Sequence, residues 1–259
     1  YPLLKPFIRF LWRDVDALVA VSNGLRDVAL QTQELSIKVI TNAVDLTRFT
    51  PLLSWERERV RRGDNRVTLL FVGRLIKFKN VQTLLEAVAI VQDLTKIPFV
   101  LRIIGDGVDR ANLEELAGEL GLGPHVEFLG WVERSQIVPH YQTADVFVTA
   151  SVWEGMPNTV LEAMACGLPI IASDVQGCED LVCQGENGYL VPLQDAPKMA
   201  EAMLHLIESG SERSRMGRES RKVVVQTFSW DRIAGAYADV YAEVSGKPVE
   251  TGIDTALDG

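Results

Sequence analysis

Short apolar runs alternate with helical patterns through the middle of the chain. Val67–Val72 and Phe99–Ile104 are runs rich in β-forming residues, and each is followed by a loop and a stretch with helical apolar spacing. Further strands are predicted at 126–129, 145–149 and 169–172. Short strands that alternate with helices are typical of a parallel sheet covered on both faces. The pattern therefore predicts an α/β fold with a doubly wound parallel sheet.

The N-terminal part follows a related pattern but stands apart from this core. Residues 17–21 and 37–41 are predicted to form two strands around a helix that begins near Ser22. A linker at 51–65 follows, because Pro51 and a run of charged residues interrupt the pattern there.

The C-terminal part is predicted to be helical after the segment 187–191. Apolar residues recur with helical spacing over 200–207 and again over 233–244. Residues 246–259 have no apolar face, which predicts a mobile tail.

Composition narrows the class of protein. The 259 residues are 47% hydrophobic and 24% charged, typical of a globular protein with a core. A net charge of -9 without a dominant basic stretch argues against nucleic acid as a partner. The three cysteines form no CxxC pair and the three histidines are dispersed, so no zinc site is predicted. The chain begins at Tyr1 without a signal segment, and we expect a fragment of a longer cytoplasmic protein.

Four loops should meet at one edge of the predicted sheet. They are 73–79, 105–107, 130–132 and 151–158, and each follows a strand. Ligands of open parallel sheets bind beyond the carboxyl ends of the strands. The site is therefore predicted at these loops.

The first loop carries Arg74, Lys77 and Lys79 just before a helix. The free N–H groups and partial positive charge of a helix start suit a phosphate, and cations beside it would stabilise a departing diphosphate. On the loop alone, ordinary solvated cations explain these residues equally well.

The last loop carries one carboxylate and the first turn of the helix after it is predicted to carry another, and each allows two interpretations. Glu162 can accept both hydroxyls of a ribose, or it can close a capping box with Thr159. Glu154, beside Gly155, can hold a sugar hydroxyl or support positive charge on an anomeric carbon, or it can be an exposed loop acid.

Gly105 and Gly107 stand in a Gly-Asp-Gly segment after the second strand. The third glycine of a dinucleotide-binding GxGxxG motif is missing, and an Asp-Gly turn accounts for the segment without a ligand.

In their order and spacing, the motifs closely resemble the retaining GT-B glycosyltransferases of family 4. They are 71–79, 104–107, 128–130, 151–157, 161–169 and 187–191. The resemblance implies a Rossmann-like nucleotide-sugar-binding domain at 66–228 and a C-terminal helix at 229–245 that packs back toward the N-terminal domain. It also implies that residues 1–50 are the end of this N-terminal domain, which would be a second Rossmann-like domain and would bind the acceptor.

The resemblance implies a role for each site residue. Arg74 and Lys79 would hold the donor diphosphate and stabilise it as it leaves, Glu154 would contact the transferred sugar, and Glu162 would bind the ribose. Arg74, Lys79 and Glu154 are therefore the predicted catalytic residues. The remaining donor-binding set is Gly155, Met156, Asn158, Thr159, Gly105, Gly107, Gly130, Trp131 and Val132, with the base near the last three.

The implied reaction transfers a sugar from a nucleoside diphosphate to a saccharide, lipid-linked or small-molecule acceptor, with retention and without a metal or other cofactor. Asn80 departs from the family pattern, where glycine is usual, and suits a helix N-cap. With most of the acceptor domain absent, we expect these residues alone to bind nucleotide weakly and to transfer nothing.

Two alternatives stay open. The chain can be a non-catalytic nucleotide-sugar-binding module, or a related GT-B enzyme such as an epimerase. The spacing of Glu154 and Glu162 argues against an epimerase and against a phosphorylase, and the pyridoxal lysine motif of a phosphorylase is not seen. The family allows peripheral association with the inner face of a membrane, so the segment 7–12 fits either a membrane contact or a helix of a protein core.

Overall fold

The computed structural model describes residues 2–53, 56 and 63–246. The rest of the predicted linker and the predicted tail after Gly246 lie outside the described residues.

The described elements alternate between strand and helix over most of the chain and end in three successive helices. They are α1 (Lys5–Trp12), β1 (Leu18–Ala20), α2 (Asn23–Leu30), β2 (Ile37–Val39), β3 (Val67–Val72), α3 (Val81–Leu94), β4 (Phe99–Ile104), α4 (Arg110–Glu119), β5 (Val126–Gly130), α5 (Val138–Thr143), β6 (Val146–Thr149), α6 (Asn158–Ala165), β7 (Ile170–Ser173), β8 (Gly188–Val191), α7 (Ala196–Glu208), α8 (Gly210–Thr227) and α9 (Trp230–Ser245). Short 3-10 helices lie at Pro2–Leu4 and Lys77–Lys79.

The central sheet has six parallel strands in the order β5-β4-β3-β6-β7-β8. The chain builds outward from β3 in one direction and then returns to add β6 on the other side. This arrangement confirms the predicted doubly wound parallel sheet.

The two faces of the sheet are buried under different helices. Leu69 and Phe71 of β3 pack with α3, α4 and α7, whereas Leu70, which points to the other face, packs with α5, α6 and α8. All three side chains are almost completely buried. A strand covered on both sides reads as a continuous apolar run, which is why the sequence predicted β3 so closely.

The N-terminal part forms a separate two-stranded parallel sheet, β1 and β2, with α2 between the strands. The Ser22 hydroxyl caps α2 by accepting a hydrogen bond from the Leu25 N–H at 3.2 Å, as its position before the helix predicts. Helix α9 packs on this part through Ile40, Ile233 and Val240 and through an ion pair between Lys38 and Glu243.

Two helices differ from the sequence prediction. The helix expected over 134–142 begins only at Val138, because Pro139 lacks an N–H and its ring clashes with a preceding turn of helix. Helix α8 was not delimited by apolar spacing, since its buried positions include Gly217 and Ser220 beside Met216 and Val224. No helix within residues 2–53 and 63–246 is long and apolar enough to cross a membrane.

Candidate donor-binding site

The four loops predicted to form the site do meet at the carboxyl edge of the sheet. Three backbone hydrogen bonds join them. Leu75 N–H donates to Asp106 O at 2.9 Å between the first and second loops, and Gly105 N–H donates to Gly130 O at 2.8 Å between the second and third. Val152 N–H donates to Phe78 O at 2.9 Å, which joins the last loop to the first. The loops therefore form one connected surface.

Two glycines allow the first two loops to touch. Gly105 has a φ of +137°, and a Cβ there would lie 1.8 Å from the Gly73 carbonyl oxygen. A Cβ at Gly107 would lie 2.2 Å from the Leu75 oxygen. Only glycine fits such approaches of backbone to backbone. Gly107 thus packs against the neighbouring loop. Its contribution to the predicted donor site would be to let the two loops approach each other.

A cavity of about 360 Å³ opens at this edge. Its lining includes six of the predicted site residues: Arg74, Gly105, Trp131, Val132, Asn158 and Glu162. Arg74 is exposed and has no hydrogen-bonding or ion-pair partner within the described part of the chain, so its guanidinium is available to a ligand. Gly130 lies directly beneath this lining, since its oxygen receives the Gly105 N–H.

Glu162 lies in α6, whose first residue is Asn158 and whose N-cap is Pro157. It is the fifth residue of the helix, beyond the first turn, and Pro157 offers no side-chain acceptor. The capping-box interpretation with Thr159 is therefore wrong, because that motif needs the glutamate at the third position.

The carboxylate of Glu162 instead accepts a hydrogen bond from the Tyr141 hydroxyl at 2.8 Å. Burial raises the pKa of Glu162 above its ordinary value, against lowering contributions from this hydrogen bond and from the charges of Arg134 and Arg48. The remaining lone pairs of the carboxylate can receive hydroxyl donors.

Lys79 and Glu154 form an ion pair at the junction of the first and last loops. The Lys79 ammonium donates to Glu154 Oε1 at 2.5 Å, and the two side chains are only 24% and 12% exposed. Asn80, which follows, has a φ of 48° and makes no capping hydrogen bond with its side chain. Its conformation explains why glycine or asparagine suits this position better than other residues.

Two of the other predicted donor-binding residues, Met156 and Gly155, face the N-terminal part. Met156 is buried, and its oxygen and sulfur accept hydrogen bonds from Asn42. A Cβ at Gly155 would lie 3.1 Å from Leu25 Cδ1. Thr159 is half-buried as the second residue of α6.

Sequence reasoning missed three residues around Glu162. Tyr141 comes from α5, Arg134 from the loop before α5, and Arg48 from the segment before the linker. Arg48 lines a second recess of about 390 Å³, which shares Arg134, Asn158 and Glu162 with the first cavity. No motif signals these residues, because only the packing of separate elements brings them to Glu162.

Comparison with known proteins decides the family. Residues 55–223 match the family described as glycosyl transferases group 1. The chain belongs to this family. Among the 259 residues, those that the structure describes contain no group of three or more His, Cys, Asp or Glu side chains that could hold a metal ion.

Relatives of this group 1 glycosyltransferase chain include two bacterial proteins. It is 30% identical over 233 residues to the lipopolysaccharide core biosynthesis glycosyltransferase LpsE of Rhizobium meliloti (strain 1021), an alignment covering 89% of this chain and 65% of that protein. It is 32% identical over 254 residues to the putative glycosyltransferase EpsD of Bacillus subtilis (strain 168), covering 93% and 64% respectively. The chain thus spans just under two thirds of the length of these relatives.

Solved structures share the fold over a similar length. The Anabaena protein Alr3699/HepE, in complex with UDP and glucose, superposes with a TM-score of 0.83 at 22% identity, over 93% of this chain and 66% of that one. Sucrose-phosphate synthase from Thermosynechococcus elongatus superposes with a TM-score of 0.83 at 25% identity, over 95% and 62%.

Proposed function

We propose that the chain carries the donor half of a retaining GT-B glycosyltransferase of family 4, which takes a sugar from a nucleoside diphosphate without a metal. The observation that carries the proposal is that Arg74, Asn158 and Glu162 line one cavity while Lys79 and Glu154 form an ion pair on the adjoining loops. The chemistry of the donor set matches a nucleotide diphosphate, since cations and a ribose acceptor are both present.

The proposed chemistry depends on charge that develops as the sugar leaves. Arg74 and Lys79 would hold the diphosphate, and their attraction grows as the glycosidic oxygen gains negative charge. Lys79 would exchange part of its contact with Glu154 for the diphosphate. Glu154 would then face the positive charge that builds on the anomeric carbon. Cations of the protein would thus serve where other transferases use a metal ion.

The ribose contact supplies the first test. Calorimetric titration or a thermal-shift panel with UDP, GDP, ADP and CMP should identify the preferred base, and the Anabaena neighbour makes UDP the first choice. Glu162→Ala should abolish the response. Glu115→Ala removes the same group from an exposed position of α4 and should bind like wild type. Unchanged binding by Glu162→Ala would remove the ribose role from the proposal.

Retention and metal independence need their own measurement. With this chain joined to a complete acceptor-binding domain and an accepted saccharide, lipid-linked or small-molecule acceptor, nuclear magnetic resonance of the product should show the same anomeric configuration as the donor sugar. Excess chelator should leave the rate unchanged. We also propose that the 259 residues bind nucleotide but need the acceptor-binding domain for transfer, so that transfer by this chain alone would contradict the two-domain site.

A further inference from the structure

We infer that Tyr141 is a positioning residue of the donor site, whose hydroxyl holds the Glu162 carboxylate in the orientation that receives the ribose hydroxyls. The inference rests on the proposed function, because that function supplies the ribose.

The contact between the two side chains joins separate helices. Tyr141 in α5 has no exposed surface, and its hydroxyl donates to Glu162 Oε2 at 2.8 Å. A buried tyrosine hydroxyl needs a hydrogen-bond partner, so the bond is strongly favoured. A carboxylate offers about four acceptor positions, and this bond takes one of them. Oε1 and one lone pair of Oε2 remain for two ribose hydroxyls.

The tyrosine ring is held on two sides. Phe49 packs edge-on against it with ring centroids 5.8 Å apart, and Phe147 of β6 stacks at 6.0 Å. The ring therefore fixes the position of the hydroxyl, and the hydroxyl restricts the rotamers of Glu162. The side-chain entropy that binding would otherwise cost is already lost in the free protein.

The charged and titratable groups around Glu162 come from four places. Arg134 lies in the loop before α5, Arg48 in the segment before the linker, Tyr141 in α5 and Cys166 at the end of α6 itself. Burial raises the pKa of the Cys166 thiol to about 12, which keeps the thiol neutral near pH 7. Tyr141 makes the largest of the contributions that lower the pKa of Glu162.

The substitution Tyr141→Phe tests the inference because it removes the hydroxyl and keeps the ring. Calorimetric affinities would be measured for UDP, GDP and ADP and for the 2′,3′-dideoxy analogue of whichever of them binds best. Wild type should prefer the ribose form. In the variant, affinity for the ribose form should fall about tenfold, the scale of one hydrogen bond to a charged group. Affinity for the dideoxy analogue should stay within about twofold, because it makes no bond to Glu162.

A pH series provides a second readout that packing alone would not move. Without the hydroxyl, a lowering contribution to the pKa of Glu162 is lost, so its protonation begins at higher pH. The loss of ribonucleotide affinity on acidification should therefore begin at higher pH in Tyr141→Phe than in wild type. Tyr241→Phe, on the exposed face of α9, makes the same chemical change and should leave both readouts unchanged.

The outcomes separate this inference from the function on which it rests. Equal weakening of the ribose and dideoxy forms by Tyr141→Phe, with no displacement of the pH profile, would show a packing role only and overturn the inference. So would a variant that binds both forms like wild type. A wild-type protein that binds none of the three nucleotides overturns the proposed function, and the inference with it.

Discussion

Gly105→Ala should disconnect the loops that form the site. Gly105 has a φ of +137°, which side-chain-bearing residues rarely adopt, and its Cβ would lie 1.8 Å from the Gly73 oxygen. Cβ contacts below 3.0 Å are essentially never seen, so the two loops must separate by about 1 Å or more.

The size of the effect follows from the bonds that such a movement breaks. Gly73 N–H donates to Ile104 O at 3.0 Å, Leu75 N–H to Asp106 O at 2.9 Å and Asp109 N–H to Leu75 O at 3.0 Å, all across the junction of these two loops. Losing two of these bonds costs about 2 kcal/mol, and the unfavourable φ adds roughly 1–2 kcal/mol. The variant should therefore be destabilised by about 3–4 kcal/mol, a large part of the stability of an ordinary domain.

Two other glycines serve as matched controls. A Cβ at Gly188 would lie 2.0 Å from the Ile170 oxygen, but this contact is at the opposite edge of the sheet. Gly118 in α4 has open space around its Cβ position. Gly188→Ala should lose stability while its folded fraction keeps nucleotide affinity, and Gly118→Ala should gain roughly 0.5–1 kcal/mol from helix propensity.

Denaturant unfolding and calorimetric titration with UDP, GDP or ADP would measure the two quantities on all three variants. Gly105→Ala should lose both stability and affinity. If it unfolds within about 0.5 kcal/mol of wild type, the loop contact does not constrain the edge. If it loses stability but its folded fraction binds normally, the loops are joined for folding and not for the site.

Three further predictions address charge. Lys79→Gln should weaken nucleotide binding and lower the free energy of unfolding by about 1–3 kcal/mol, because Glu154 loses its cation. The same change at exposed Lys77 should cost less than about 0.5 kcal/mol, and unfolding curves of both variants would show the difference. Burial raises the pKa of Glu162, so calorimetry should show nucleotide affinity declining on acidification already above the ordinary glutamate pKa of about 4.3; a flat profile would contradict this. Hydrogen bonds and charges from Arg66 and Arg102 lower the pKa of Asp64 well below its usual range, so Asp64→Asn should reduce stability. Unfolding at several pH values should show the full difference in stability between wild type and variant above about pH 4, and a smaller difference at lower pH.

Most of the sheet could be predicted because its strands are buried on both faces. β3 and β4 have the predicted bounds, since continuous apolar runs end where the chain reaches solvent. The prediction was weaker where packing departs from that rule. Helix α8 buries glycine and serine in close contacts, and a Cβ at Gly217 would lie 2.1 Å from the Gly167 oxygen. Apolar spacing cannot show a helix that packs through its small residues.

The site could be predicted as far as it depends on strand ends. Arg74 and Glu154 lie in loops that follow strands, Glu162 lies in the helix after one, and the parallel sheet brings these segments together. Tyr141 reaches Glu162 by a different route, through the packing of α5 on α6. That contact replaces the capping box that local sequence favoured. The local sequence cannot show whether Glu162 bonds its own backbone or the Tyr141 hydroxyl, because the outcome depends on where the helix begins and what packs beside it.

The order of the strands explains why Lys79 and Glu154 meet, although 75 residues separate them. β3 and β6 are neighbours in the sheet, but β3 continues to β4 on one side and β6 continues to β7 on the other. Right-handed crossovers in opposite directions place α3 and α6 on opposite faces, so the loops that lead to them diverge and leave a crevice. The cation comes from one wall of this crevice and the carboxylate from the other. A donor bound there would lie between groups that topology brings together, whereas the proposed ribose contact would depend on side-chain packing, and the two should therefore tolerate substitution differently.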